Sequence, residues 1–546
     1  MKRKLILTLV VLLATVFMAS AQEGLGIQGT FGIDHGKRLV VATGRLPEGV
    51  RPYRSTMELR GDTYTFYRSE LPLITITTDG PIVNSPAVHG VISVADADGN
   101  VVTMHAGFKI RGTSSQQYEK KSYRIELWAD ATGTVMADTT FLGLRSDDDW
   151  NLEAMWMQPL RLRDKVANEL WMEMYQLPYA ENEPDALPGI RMEYADLFIN
   201  DEYMGVYALT ERIDRKQLGL RKYNGEIRGV LYKGNGAGAP TFEDLPNYDN
   251  TLDTWAKYEW VYPNESDTAI NWNHIYSFTN FVMNASNNVF YTQYSAQFDK
   301  ANAIDYYLFI NSVMAMDNMG RNLFVARYKK SGTYFYVPWD LDAIWGLDTD
   351  GNKTYNTAGL LGNGFYDRLT QDCFDNGFVV TAKTRYNALR NTVLTTEHIM
   401  ELVQRQYDAL VESGVYDREH EAWPSFTVDE SQLTYMSEWL DARFNYLDGE
   451  INAGCGTWGV EAPEPVEGPI PSVEVFPNPA SDGINVRFAK PCDAAVRLYD
   501  MTGRLAYSHN AVMQAVVIPT QGLGKGVYSV VVVADEKQQV IRVVVE

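Results

Sequence analysis

Three oxygen-bearing side chains, Asp317, Asn322 and Asp340, stand in an order that suits phosphate chemistry. Asp317 opens Asp317-Asn318-Met319-Gly320-Arg321-Asn322, a hairpin over 323–337 turns at Lys330-Ser331-Gly332, and Trp339-Asp340-Leu341-Asp342-Ala343-Ile344-Trp345-Gly346 closes the stretch. A carboxylate at the first position can orient and deprotonate an attacking hydroxyl, while amide and carboxylate oxygens at the other two can hold Mg²⁺ or Mn²⁺ against phosphates. Spacing alone does not separate this from a solvated turn, because Asp and Asn favour turns in any protein.

Other segments offer cations and donors. Phe108-Lys109-Ile110-Arg111-Gly112-Thr113-Ser114-Ser115 lies between strands, and its amides and hydroxyls suit a phosphate cradle or a plain hairpin turn. Lys121 opens the next strand and can reach a phosphate; Lys120 competes with it, because neighbouring strand residues face opposite ways. Exposure of both lysines is the simpler alternative. Glu169 can pair with that lysine or remain a solvated helix carboxylate. Gly234-Asn235-Gly236-Ala237-Gly238 runs into Pro240 instead of opening a helix, so it reads as a flexible insertion, not a dinucleotide loop. Asp348-Thr349-Asp350-Gly351-Asn352 lacks the terminal glutamate of a calcium loop and reads as a turn.

The elements that must position these residues change character along the chain. Residues 22–69 are Gly-rich with marginal strands. From residue 70 the alternation in Leu73-Ile74-Thr75-Ile76-Thr77, Val91-Ile92-Ser93-Val94 and Ala106-Gly107-Phe108-Lys109-Ile110 predicts strands, with turns at Asp79-Gly80 and Asp98-Gly99-Asn100. A helix is expected over 159–175 from the spacing of Leu160, Leu162, Val166, Leu170 and Met174. A hairpin is expected over 195–209, turning at Asn200-Asp201-Glu202. Beyond about residue 300 helices dominate, over 304–316 and 433–447 among others. Strands first and helices later predict an α+β domain over 70–452. Residues 453–470, with Pro463, Pro465 and Pro469, read as a linker, and the short strands of 471–546 suggest a small β-sandwich.

The start of the chain predicts export. Lys2, Arg3 and Lys4, an apolar run over 5–18 and Ala19-Ser20-Ala21 make a cleavable signal peptide over 1–21, with no transmembrane anchor expected. The net charge of −22, more negative still without those three cations, argues against nucleic acid or anionic lipid as a partner. Three cysteines allow at most one bridge, and the seven histidines show no metal-ligand spacing.

Two resemblances sharpen this reading. Arg111-Gly112-Thr113-Ser114-Ser115, Lys120-Lys121-Ser122-Tyr123-Arg124-Ile125-Glu126-Leu127, Leu162-Arg163-Asp164-Lys165-Val166-Ala167-Asn168-Glu169-Leu170, Gly205-Val206-Tyr207-Ala208-Leu209-Thr210-Glu211 and Trp339-Asp340 resemble, in order, the motifs of the CotH family of atypical, kinase-like proteins. The resemblance implies a two-lobed kinase-like fold, β-rich then helical, and transfer of phosphate from ATP with Mg²⁺ or Mn²⁺ to Ser/Thr hydroxyls of surface or periplasmic proteins. It implies Asp317 as catalytic base, Asn322 and Asp340 as metal ligands, and Arg111, Ser114, Ser115, Lys121 and Glu211 at the nucleotide. Glu211 ends a strand similar to the segment joining kinase lobes, where backbone groups meet adenine. The chain departs from ordinary kinases in Ala315-Met316 before Asp317 and Leu341-Asp342 after Asp340, and from the CotH signature in Thr113, where Asn is usual. A non-catalytic surface adhesin or assembly protein on the same fold is the alternative. Phe476-Pro477-Asn478-Pro479-Ala480, Val496-Arg497-Leu498-Tyr499-Asp500 with Gly503-Arg504, and Gly526-Val527-Tyr528 resemble the C-terminal sorting domain read by the type IX (Por) secretion machinery of Bacteroidetes-like bacteria. That implies passage through the periplasm to the outer surface or medium.

Overall fold

Alternating apolar residues over Leu73–Thr78, Val88–Ala95 and Val101–Ile110 pair antiparallel in chain order, with Ile74 opposite Val94 and Ile92 opposite Met104. Tyr123–Trp128 and Asp149–Glu153 extend the sheet. Glu202–Thr210 and Met192–Ile199 follow, and parallel pairing of Met192–Ile199 with Leu73–Thr78 closes a seven-stranded barrel. Ile74, Ile92, Phe108, Ile125, Trp150, Leu197 and Leu209 fill its interior. The expected hairpin turns at Asn200 and Asp201, both left-handed at φ 50° and 64°, the conformation a two-residue turn between twisted strands requires.

The computed structural model describes residues 29–236, 240–264, 266–455, 466–467, 473–500, 505–534 and 537–546. The expected signal peptide and most of the linker lie outside them, as does the Gly503-Arg504 turn. Ahead of the barrel, strands Thr30–Asp34, Leu39–Thr43, Asp62–Ser69 and Tyr53–Leu59 form a sheet in that spatial order. Leu39, Val41 and Tyr67 of this sheet share a core with Leu73, Ala95, Phe198 and Tyr203, so it is packed onto the barrel.

A second, larger core gathers helices α1 (Arg163–Met174), α2 (Asn273–Asn284), α3 (Asn287–Gln297), α4 (Lys300–Val313), α5 (Gly364–Leu369), α6 (Phe378–Arg390), α7 (Thr396–Glu412), α8 (Val415–Ala422) and α9 (Ser431–Ala453). They surround a five-stranded sheet ordered Thr254–Trp255, Tyr258–Tyr262, Val230–Gly234, Leu323–Arg327, Tyr334–Pro338. Although α1 lies between barrel strands Asp149–Glu153 and Met192–Ile199 in sequence, Val166, Leu170 and Trp171 bury themselves in this second core. A disulfide, Cys373–Cys455, ties the loop after α5 to the end of α9.

The chain divides into two compact units, Met1–Gly459 and Val460–Glu546. In the second, Gly483–Asp500 pairs with Val473–Phe476 over 485–488 and with Gly526–Ala534 over 494–500. It changes partners across a register shift between Arg487 and Cys492. Leu505–Pro519, Lys537–Val545 and the short Val466–Glu467 complete a six-stranded sheet over a core of Ile484, Val496, Leu498, Val530 and Val543.

Candidate functional site

Helix α4 delivers the chain to Asp317. Asp299 caps its N-terminus, accepting from Ala301 N at 2.9 Å and Asn302 N at 3.3 Å. Buried polar side chains fix its position: Asn302 bonds both backbone groups of Tyr336, at 3.0 and 2.6 Å, and Asp305 takes Arg385 at 2.8 and 3.1 Å. The helix stops at Met314, left-handed at φ 56°, and a single 3₁₀ turn, Met316–Met319, presents Asp317.

The hairpin then brings distant residues together. Leu323 stands opposite Pro338 in register, and Trp339 N donates to Asn322 O at 3.0 Å, so Asn322 lies beside Trp339-Asp340. The Asn322 amide reaches Asp340 O at 3.4 Å. Asn318 braces the corner, donating to Asn322 O at 2.5 Å and Trp339 O at 3.0 Å. Asp164, in the first turn of α1, accepts from Leu341 N at 2.7 Å and from Gln158 at 2.6 Å. Asp340 is thereby held at a left-handed φ of 57°.

The electrostatics of this corner are those of excess negative charge. Burial, then Asp340, pushes the Asp164 carboxyl up to about 7. Burial, then Asp340, Asp164 and Asp317, drives Asp342 well above the usual carboxylate range. Asp317 is raised by burial, with Arg321 opposing and Asp340 adding to the shift. Cations stand close by. The Arg111 guanidinium lies 5.7 Å over the Trp339 ring and is paired with Glu153, and Asp340 and Asp164 act on it. Lys233, on the adjoining strand, lies within electrostatic reach first of Glu259 and then of Asp340, Arg111 and Arg212. Carboxylates alone suit a cation and cations alone suit phosphate; the two interleaved, with Asn322 and Asp340 offering oxygen ligands, fit a divalent metal with its phosphates.

Arg111, Asp317, Asn322 and Asp340 are therefore brought together. The remaining expected residues are placed differently. Gly112 has φ 92°, and a Cβ there would come 1.8 Å from Ser115 Oγ, so Ser115 folds over the turn. Ser114 lies in the 3₁₀ turn Ser114–Gln117. Lys121 donates to the carbonyls of Gln116, at 2.7 Å, and Tyr118, closing its own loop. Lys120 is the fully buried member of the pair: it meets Glu419 Oε1 and Val206 O, each at 2.5 Å. Arg161 joins Glu419 at 3.0 Å. Glu169 pairs with Lys165 at 3.4 Å and Arg405 at 2.7 Å, not with Lys121. The Glu211 carboxylate is fully buried among Arg145 N, Arg191 and Gln217, which hold it below its ordinary value against the cost of burial.

Asp164, Asp342, Asn318 and Lys233 were not singled out in the sequence reading. Asp164 lies within the Leu162–Leu170 segment that carries the family resemblance, and Asp342 stands two residues after Asp340. Lys233 precedes the glycines read as a flexible insertion, of which Ala237 and Gly238 lie outside the described residues; Gly236 N donates to Gly320 O at 3.1 Å, setting the start of that segment against the Asp317 loop. Asp138, Asp147 and Asp148 also converge, but Lys216 Nζ sits among them at 2.6, 2.8 and 2.7 Å and already supplies the cation.

Residues 108–447 match the family model described as CotH kinase protein, and 474–546 match that of a secretion system C-terminal sorting domain. Inner spore coat protein H of Bacillus subtilis (strain 168) is 24% identical over 251 residues, 44% of this chain and 59% of that protein. The chain thus spans under two thirds of that relative's length. A solved structure of PorZ, described as an essential bacterial surface component of the type-IX secretion system of Porphyromonas gingivalis, shares 27% identity over 16% of this chain and 13% of its own, with a TM-score of 0.13.

Proposed function

Because the chain belongs to the CotH kinase protein family, we propose that it is an exported phosphotransferase, with a kinase-like pairing of barrel and helical halves, that moves phosphate from Mg-ATP to Ser/Thr hydroxyls of surface or periplasmic proteins. The observation that carries this reading is the return of the hairpin, which sets Asn322 against Asp340 beside Asp317. Asn322 and Asp340 are the oxygen ligands that would hold Mg²⁺ or Mn²⁺. The metal, when bound, would offset phosphate charge. Asp317, whose carboxyl is raised by burial, accepts the proton of the substrate hydroxyl at a carboxylate oxygen. Arg111, fixed by Glu153 and Trp339, supplies positive charge to the phosphates. Asp164 positions Asp340 through Leu341 N. The tail, a sorting domain of the type IX kind, supports delivery of the chain to the cell surface or outside it.

The test is incubation of the exported protein with γ-labelled ATP, Mg²⁺ or Mn²⁺ and a surface-protein extract. Wild type is expected to label itself or extract proteins. Asp317→Ala should lose about a hundred- to ten-thousand-fold in rate, the range that a general base supplies. Wild type that neither binds nucleotide nor transfers label would leave the surface-adhesin reading in possession; equal labelling by Asp317→Ala and Asp340→Ala would refute the residue roles.

A further inference from the structure

Neither lysine of the Lys120-Lys121 pair has an amine to spare. Lys120 is committed to Glu419 and Val206, and Lys121 to Gln116 and Tyr118. On Val230–Gly234, Tyr232 is buried against Trp260 and Trp272, so strand alternation turns Lys233 to the other face of the sheet. That face leads to the site. Lys233 stands opposite Phe324 in register; the Phe324 ring meets Trp339 at 5.9 Å, and Arg111 lies over Trp339 at 5.7 Å. Gly234, the next residue, is pressed so closely to the Asp317 loop that a Cβ there would come 2.5 Å from Gly320 O. Lys233 is partly buried, yet its ammonium makes no hydrogen bond or close ion pair among the described residues. Exposed Glu259, its register partner on the other side, is the strongest charge acting on it but forms no close ion pair with it. Removing an ammonium from water without a partner costs free energy, which an anionic ligand would return.

We propose that Lys233, reaching from the same sheet as the Asn322–Asp340 hairpin, is the lysine that grips the nucleotide's phosphate chain, the role that the sequence resemblance gave to Lys121. This rests on the nucleotide reading above. The experiment measures equilibrium binding of ATP and of adenosine, with Mg²⁺, to the exported protein and its Lys233→Met and Lys233→Arg variants, together with acetylation of Lys233 in wild type with and without ATP, read by mass spectrometry. Lys233→Met should weaken ATP by about tenfold or more, the worth of one charge-assisted hydrogen bond, and leave adenosine unchanged. Lys233→Arg should recover part of the loss, and ATP should shield Lys233 from acetylation. Unchanged ATP affinity in folded Lys233→Met, or acetylation unaffected by ATP, overturns the inference. If Lys233→Met does not fold, the wild-type acetylation decides alone. Wild type that binds no ATP overturns the nucleotide reading itself, and this inference with it.

Discussion

Asp340 is the residue at which fold and chemistry pull apart. Its left-handed backbone costs about 1–2 kcal/mol for a residue with a Cβ, although Asp and Asn bear it better than most. Its charge also raises the carboxyls of Asp164, Asp342 and Asp317. Asp340→Asn keeps the shape and removes the charge. In metal-free buffer this variant should therefore melt at or above the wild-type temperature while losing phosphate transfer, read by calorimetry and by label; a clear drop in melting temperature would contradict the repulsion argued here. At this scale the convergence of Asn322 on Asp340 beside Asp317 was legible, because a local hairpin sets it. The surroundings of the two lysines were not legible. Strand alternation says that Lys120 and Lys121 face opposite ways, but the loop over 111–122 folds back to consume Lys121, and Lys120 is buried under α8, more than 290 residues on in the chain.

Buried charge also fastens the elements to one another. Helix α8 meets the barrel through Glu419, which binds Lys120, Arg161 and Val206 N, and through Arg418, which binds Asp196 at 3.0 Å twice. Glu419→Gln would leave Lys120 and Arg161 buried without their carboxylate, and should cost about 3–5 kcal/mol, measured by chemical denaturation; a loss below about 1 kcal/mol, the worth of an exposed pair, would show that water reaches them. Helix α2 carries a different titration. His274 is pushed down to about 4, first by burial and then by Arg327 and Lys330. A folded pKa below the unfolded 6.5 means that the unfolded chain binds the proton first, so this contribution is complete above pH 6.5 and is lost as pH falls toward 4. His274→Gln should flatten the acid limb of melting temperature between those values, and an unchanged limb would exclude His274 as its source. Hairpins and amphipathic helices at this scale were legible from local periodicity. Barrel closure was not: Leu73–Thr78 pairs with Met192–Ile199 across more than 110 residues, and no local pattern encodes that parallel contact.

At the scale of the molecule, two units with separate cores share one chain. Among the described residues, the buried side chains of the barrel and helical cores end at Ile451, and those of the tail core begin at Ala480, with Val473 and Val475 packed against it. A chain ending at residue 459 should accordingly fold with the same nucleotide affinity as the whole protein but remain in the periplasm, measured by fractionation; appearance at the surface would deny the tail its sorting role. Separation of the units was legible because Pro463, Pro465 and Pro469 interrupt every periodicity around them. Export also sends a candidate ATP site to where ATP is scarce, which makes metal-dependent nucleotide binding the claim on which the account stands. Calorimetric titration of ATP into the exported protein, with and without Mg²⁺, against Asp340→Asn, tests it most directly. The account predicts saturable, Mg²⁺-dependent binding in wild type that the variant loses; no binding in wild type, or equal binding in both, would contradict it.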